Sequence, residues 1–163
     1  QYVLCLDVRL CQMGMHFVGI GPKSLIDGID QKVLQDVQQI AAKTGAKIEI
    51  TDDVKAVEGA DVIYGDIWAS MGEEDLIPER VKLLTPYRVT EEMLKMTNNP
   101  NVLYLHCLPS FHDFNTKLAA QWKEKGVDIR EVTDEVFRGP HSVVFDEAEN
   151  RMHTIKAVMV ATL

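Results

Sequence analysis

The feature of this chain that most narrows its possible folds is an alternation of period. Short apolar, β-branched runs at Phe17 to Ile20, Lys47 to Thr51, Val62 to Gly65, Val102 to His106 and Ile129 to Val132 are separated by longer segments of helical period. Runs this short suit buried strands. Strands that alternate with helices pair in parallel, because each crossover returns the chain to the same end of the sheet. The pattern predicts an α/β fold: a doubly wound, Rossmann-like, mainly parallel sheet with helices on both faces.

Three helices are legible. Between the first two runs, Val33, Leu34, Val37, Ile40 and Ala41 recur at helical spacing, and Gly45 is the expected stop. A second helix begins at Asn115 or Thr116, carries Leu118, Ala119 and Trp122 on one stripe and ends before Gly126. The third runs from near Phe145 to about Ala161, with Ala148, Met152, Ile155 and Met159 as its expected buried stripe. Asp146, Glu147 and Glu149 fall in its first turns, where carboxylates suit the positive end of the helix dipole.

With 163 residues and 46% hydrophobic content, the chain is long enough to bury one sizeable core. Its 17 Lys and Arg against 25 Asp and Glu give a formal charge of −8 without a basic block, which argues against nucleic acid or an anionic membrane surface as partner. No apolar run approaches the roughly 20 residues of a membrane span. No signal-peptide pattern opens the sequence, so the expected location is the cytoplasm, or the mitochondrial matrix in a eukaryotic setting. Cys5, Cys11 and Cys107 show no disulfide-scaffold or C-x-x-C spacing and are read as reduced thiols. A metal site combining them with His16, His106 or His112 would need ligands from distant segments, and neither metal nor cofactor is expected.

In open α/β sheets the ligand crevice lies beyond the carboxyl ends of the strands. Two segments stand there: Asp66-Ile67-Trp68-Ala69-Ser70-Met71-Gly72 after the third run, and His106-Cys107-Leu108-Pro109 at the end of the fourth. On residue types alone, Asp66 can be a turn-capping carboxylate or a ligand group, Cys107 an inert buried thiol or a substrate contact, and Trp68 and Met71 packing residues. Sequence leaves the Leu108-Pro109 bond open to cis or trans.

Together with Asn150-Arg151-Met152-His153-Thr154-Ile155-Lys156, these segments resemble, in the right order, three motifs of the ornithine carbamoyltransferases: D-x-x-x-S-M-G, H-C-L-P and the terminal E-N-R-M-H-T-I-K run. The resemblance runs nearly continuously from Met13 to the C-terminus and implies an ornithine-binding domain at residues 13–163. It implies a transferase that moves a carbamoyl group from carbamoyl phosphate to the side-chain amine of L-ornithine, giving L-citrulline and phosphate, in arginine synthesis or breakdown. By that resemblance Asp66 pairs with the substrate's α-ammonium, and Ser70 and Met71 hold its amino-acid end. Cys107 faces the reacting amine, Cys107 and Leu108 seat carbamoyl phosphate, and Arg151 binds its phosphate. The catalytic residues are then Cys107 and Arg151. An ion pair of Arg151 with Glu147, one helical turn earlier, is the alternative for that residue. His106 is read as a structural histidine that shapes the turn.

The chemistry needs such groups, because a free alkyl amine has a pKa of about 10 and attacks only when neutral. Desolvation or a neighbouring cation favours that form.

Two features depart from the family. The S-x-R-T-R phosphate loop and H-P-x-Q segment of its N-terminal domain are absent from these residues, so the chain alone is expected to be inactive and to need that domain. Residues 1–12 replace an expected R-N-N segment and are read as an atypical stretch, either a shifted reading frame or a genuine strand over Tyr2 to Val8. A homotrimer, or a multiple of trimers, is the implied assembly. The competing readings are a putrescine or other transcarbamylase and a noncatalytic Rossmann-like binding module. Gly19-Ile20-Gly21-Pro22 makes a poor dinucleotide fingerprint.

Overall fold

A computed structural model describes residues 8–70 and 72–163. The chain divides into two units, Gln1–Val57 and Glu58–Leu163. In the first, residues 8–12 are helical (α1), which puts Val8 in a helix; Tyr2 to Asp7, the rest of the candidate strand, lie outside the described residues, as does Cys5. Strands β1 (Phe17–Ile20) and β2 (Ile48–Thr51) pair in parallel with Phe17 opposite Ile48 and Ile20 opposite Thr51.

The crossover between them holds α2 (Lys23–Ile26) and α3 (Gln31–Thr44). Helix α3 forms where its sequence allows both ends to be capped. The Asp30 side chain accepts the Lys32 N–H at 2.8 Å, and Gly45 closes the helix at φ 80°, a left-handed position that glycine adopts without a Cβ clash. Its Val37 and Ala41 are buried, as the spacing predicts.

In the second unit β3 (Val62–Gly65) and β4 (Leu103–His106) pair in parallel, Val62 opposite Leu103 and Gly65 opposite His106. Helices α4 (Ile77–Leu84) and α5 (Glu91–Met96) lie between them in sequence. After β4 come α6 (Lys117–Glu124), α7 (Asp134–Phe137) and α8 (Val144–Thr162). Helix α6 starts where Thr116 accepts the Ala119 N–H at 3.2 Å, and Gly126 follows its end at φ 77°. Tyr104, Val102, Val132, Val136 and Val144 are almost completely buried. Ile77, Ala119 and Ile129 form a further buried cluster against which Trp122 and Phe111 pack. Val62, Tyr64 and Leu103 on the alternate positions of β3 and β4 keep about 40% of their surface exposed, at 40%, 38% and 41%.

The architecture is α/β with parallel strand pairs, as expected, but two expectations need correction. Ile129 to Val132 is no strand; only Val132 makes an isolated parallel bridge, to Val89. Val89 pairs only with the far end of the segment, donating its N–H to the Glu131 carbonyl at 3.0 Å and accepting the Thr133 N–H at 3.0 Å. The pairing goes no further towards Ile129, where the Arg88 side chain donates from Nε to the Arg130 carbonyl at 2.7 Å and from Nη2 to the Asp128 carbonyl at 3.2 Å.

The second correction concerns α8. Its stripe of Ala148, Met152, Ile155 and Met159 is exposed, with Met152 at 52% and Met159 at 53%, because no described residue packs over it. Among the described residues no helix is long and apolar enough to cross a membrane.

Candidate active site

The ends of β3 and β4 carry the two motif segments, and the register brings them together. Gly65 is opposite His106, so the next residues along the chain, Asp66 and Cys107, emerge side by side. The Cys107 thiol donates to Asp66 Oδ1 at 3.1 Å, and the same oxygen accepts the Ile67 N–H at 2.8 Å. The close approach depends on Gly65. A Cβ there would stand 2.7 Å from Tyr104 Oη and 2.8 Å from His106 Cδ2, closer than such atoms pack.

The thiol is held in its protonated form. Loss of hydration around the sulfur pushes its pKa up, and the Asp66 carboxylate that accepts its proton adds to this, raising it to about 12. The residue as a whole keeps solvent access, and its sulfur is a poor thiolate. That arrangement suits a hydrogen-bonding group; it does not suit a covalent nucleophile.

The turn after Cys107 has its own internal support. Leu108 N–H donates to His106 Nδ1 at 3.0 Å, Leu108 stands at φ 42°, and the Leu108-Pro109 bond is cis. His106 N–H donates to Glu147 Oε2 on α8 at 3.1 Å. Glu147 also accepts from Tyr64, whose hydroxyl is raised above its ordinary range by burial first and by this bond second. Glu147 thereby ties the first turn of α8 to the end of β4, and no ion pair joins it to Arg151. Arg151 is exposed one helical turn further on. None of its hydrogen bonds or ion pairs reaches Asp66 or Cys107; its carbonyl accepts from Thr154.

The loop after Asp66 already binds carboxylates. Ser70 N–H donates to Glu73 Oε2 at 3.1 Å and Gly72 N–H to Glu74 Oε1 at 3.1 Å, and the latter bond holds the Glu74 carboxyl below its usual range. Gly72 sits at φ 88°, so the turn needs a residue free of a Cβ. Met71 lies outside the described residues. Trp68 is 9% exposed, with the Arg88 guanidinium 5.5 Å from its ring centroid, and it packs as its residue type suggested. A cavity of ≈ 100 Å³ is lined by Ile67 to Ser70, Arg80, Pro109, Phe111 and Glu131. Asp66 and Cys107 do not line it. A wider hollow of ≈ 490 Å³ beside Lys95, Asn98, Glu135 and His141 holds none of the motif residues.

One charged residue escaped the sequence reading. Glu131, 3% exposed, lies within 3.4 Å of His106 and binds the Phe111 N–H. The available signal was a lone acid inside an apolar run. For metals, among the described residues only His112, Asp113 and Asp134 gather ligand atoms. His112 Nδ1 is 2.6 Å from Asp134 Oδ1, and the Arg138 guanidinium contacts both carboxylates, so their oxygens already have a cationic partner.

The aspartate loop and the cysteine turn adjoin at the carboxyl ends of two parallel strands, the edge at which open α/β sheets place their ligand crevices. The comparisons give the family. The family model for the aspartate/ornithine carbamoyltransferase Asp/Orn-binding domain matches residues 6–162, and the chain belongs to that family. It is 62% identical over 154 residues to the catabolic ornithine carbamoyltransferase of Clostridium perfringens, a match covering 93% of this chain and 46% of that protein. It is 57% identical over 154 residues to catabolic ornithine carbamoyltransferase 1 of Streptococcus agalactiae, covering 93% of this chain and 46% of the relative. Among solved structures, the ornithine carbamoyltransferase from Pyrococcus furiosus superposes with a TM-score of 0.77 at 37% identity, over 96% of this chain and 44% of that one. The chain thus spans about half the length of the relatives it matches.

Proposed function

We propose that this chain provides the ornithine-facing half of a carbamoyl-transfer site, in which the side-chain amine of L-ornithine attacks carbamoyl phosphate to give L-citrulline and phosphate. The observation that carries the reading is the Asp66–Cys107 contact at the ends of two paired strands. Asp66 offers a carboxylate to the α-ammonium of the amino acid. The N–H groups of Ser70 and Gly72, now bonded to Glu73 and Glu74, offer donors for its carboxylate. Met71, between them in sequence, serves the same end of the substrate in this reading.

In this reading Cys107, kept as a thiol, orients the neutral amine and the carbamoyl group, and Leu108 supplies backbone contacts to carbamoyl phosphate. Direct attack by the amine needs no acyl-enzyme. Arg151 offers a guanidinium for the departing phosphate. The remaining phosphate contacts come from the half of the relatives that this chain does not span. A cytoplasmic location and a trimer, or a multiple of trimers, belong to the same reading.

The test is a citrulline assay of this chain alone and after mixing with the unmatched half of the Clostridium perfringens relative. None alone and turnover on mixing is the expected result. Turnover by the chain alone would overturn the assignment of phosphate contacts to the other half, and no turnover in a mixture shown to associate would overturn the transferase reading.

A further inference from the structure

The Glu131 carboxyl group has no part in the function proposed above, yet it is the most deeply enclosed acid near the cysteine turn. Its side chain is 2% exposed and faces the His106 ring, itself 0% exposed, with Oε1 3.4 Å from Nε2. Oε1 also accepts the Phe111 N–H at 2.5 Å, and the Glu131 N–H donates to the Phe111 carbonyl at 3.1 Å. We infer that Glu131 is a positioning residue: through His106 and Phe111 it fixes both ends of the Cys107–Pro109 turn and so sets where the Cys107 thiol stands against Asp66.

His106 is the link. Its Nδ1 accepts the Leu108 N–H, and a neutral imidazole with an acceptor at Nδ1 carries its proton at Nε2, the nitrogen that faces Glu131. The Nε2 contact is long and lies outside hydrogen-bonding geometry, so its grip is electrostatic. In so dry a place a carboxyl oxygen still discriminates strongly: it favours an N–H opposite it and disfavours a lone pair. The other tautomer would lose the Leu108 bond as well. Leu108 needs this hold, because at φ 42° it occupies a region that L side chains keep only where their surroundings impose it.

Stability alone is a poor account of Glu131. Its Oε2 is buried without a hydrogen-bond partner, and a carboxyl group enclosed and only half satisfied costs desolvation that an apolar pair in the place of Glu131 and His106 would avoid. Gly65 completes the seat on the opposite strand, leaving room for the ring that Glu131 aims.

The inference rests on the proposed function for its catalytic meaning, but its geometry is tested without substrate. In the intact chain with labelled histidine, ring nitrogen and carbon shifts should show His106 protonated at Nε2. Glu131→Gln should move those shifts and speed iodoacetamide labelling of the Cys107 peptide, read by mass spectrometry. Each pKa unit the thiol falls gives tenfold more thiolate of lower nucleophilicity, a net gain of about threefold. Asp66→Asn should speed the labelling and leave the His106 tautomer alone.

An Nδ1-protonated His106 in the unaltered chain would overturn the inference, as would a folded Glu131→Gln chain with unchanged ring shifts and labelling rate. If Glu131→Gln does not fold, Glu131→Asp, which draws the carboxyl back by one methylene, is read in the same two ways. Failure of ornithine to bind would sink the transferase reading while leaving these readouts untouched.

Discussion

Gly65 shows how one residue without a side chain can shape a site. With Tyr104 Oη and His106 Cδ2 both within 2.8 Å of where its Cβ would be, alanine forces β3 and β4 apart or moves a buried ring. Gly65→Ala should cost about 1–3 kcal/mol, read as a lower urea midpoint at unchanged slope. Next to it, Asp66 governs the Cys107 thiol. Removing its charge in Asp66→Asn should bring the thiol part of the way down from about 12, burial being the larger cause of its rise, as measured from the pH dependence of alkylation; an unshifted profile would mean that burial alone holds the proton. The adjacency of these two residues was legible in the sequence, because strand ends in parallel sheets are where ligand loops gather and both motifs follow strand-like runs. Glu131 was not. An acid in an apolar run looks like an exposed position until the fold shows His106 and Phe111 closing around it.

At the scale of elements, β1 to β4 and helices α3 and α6 follow from local patterns, since β-branched runs, threonine or aspartate caps and terminal glycines act over a few residues. The segment Ile129 to Val132 misled because its state is decided 42 positions away, where Arg88 reaches across to the Arg130 carbonyl. Its apolar content correctly indicated burial, with Ile129 at 3% exposure, but a strand needs backbone pairing sustained over several residues, and Val89 pairs with this segment at one bridge. Arg88→Met should therefore cost about 2 kcal/mol in urea unfolding, because two part-buried carbonyls lose their donor and Asp128 loses a cation. A loss under a few tenths would mean that water replaces the guanidinium. Helix α8 teaches the converse lesson. Its period was read correctly, but period says only which face is apolar, and the face of Met152, Ile155 and Met159 lies in solvent.

For the whole molecule, three groups make stability sensitive to alkali. Cys107 is raised from 9.0 to about 12, and Tyr64 and Tyr104 are raised too, each by burial first. Groups whose folded pKa exceeds the unfolded value stabilise fully below the unfolded pKa and lose that contribution as pH rises through the folded one. Stability should therefore be flat near neutrality with respect to these groups and fall from about pH 9 toward 12, and Cys107→Ser should move the onset upward toward the tyrosine range. Urea midpoints at successive pH values would show this, and a midpoint constant to pH 11 would contradict it.

In the proposed function the aspartate loop and the cysteine turn together receive ornithine. Calorimetric titration of L-ornithine into the unaltered chain and into Asp66→Asn, both shown folded by circular dichroism, tests it most directly. Binding to the unaltered chain should weaken about tenfold or more in Asp66→Asn, as loss of a charge-assisted contact requires. Equal affinity for the two chains would contradict it.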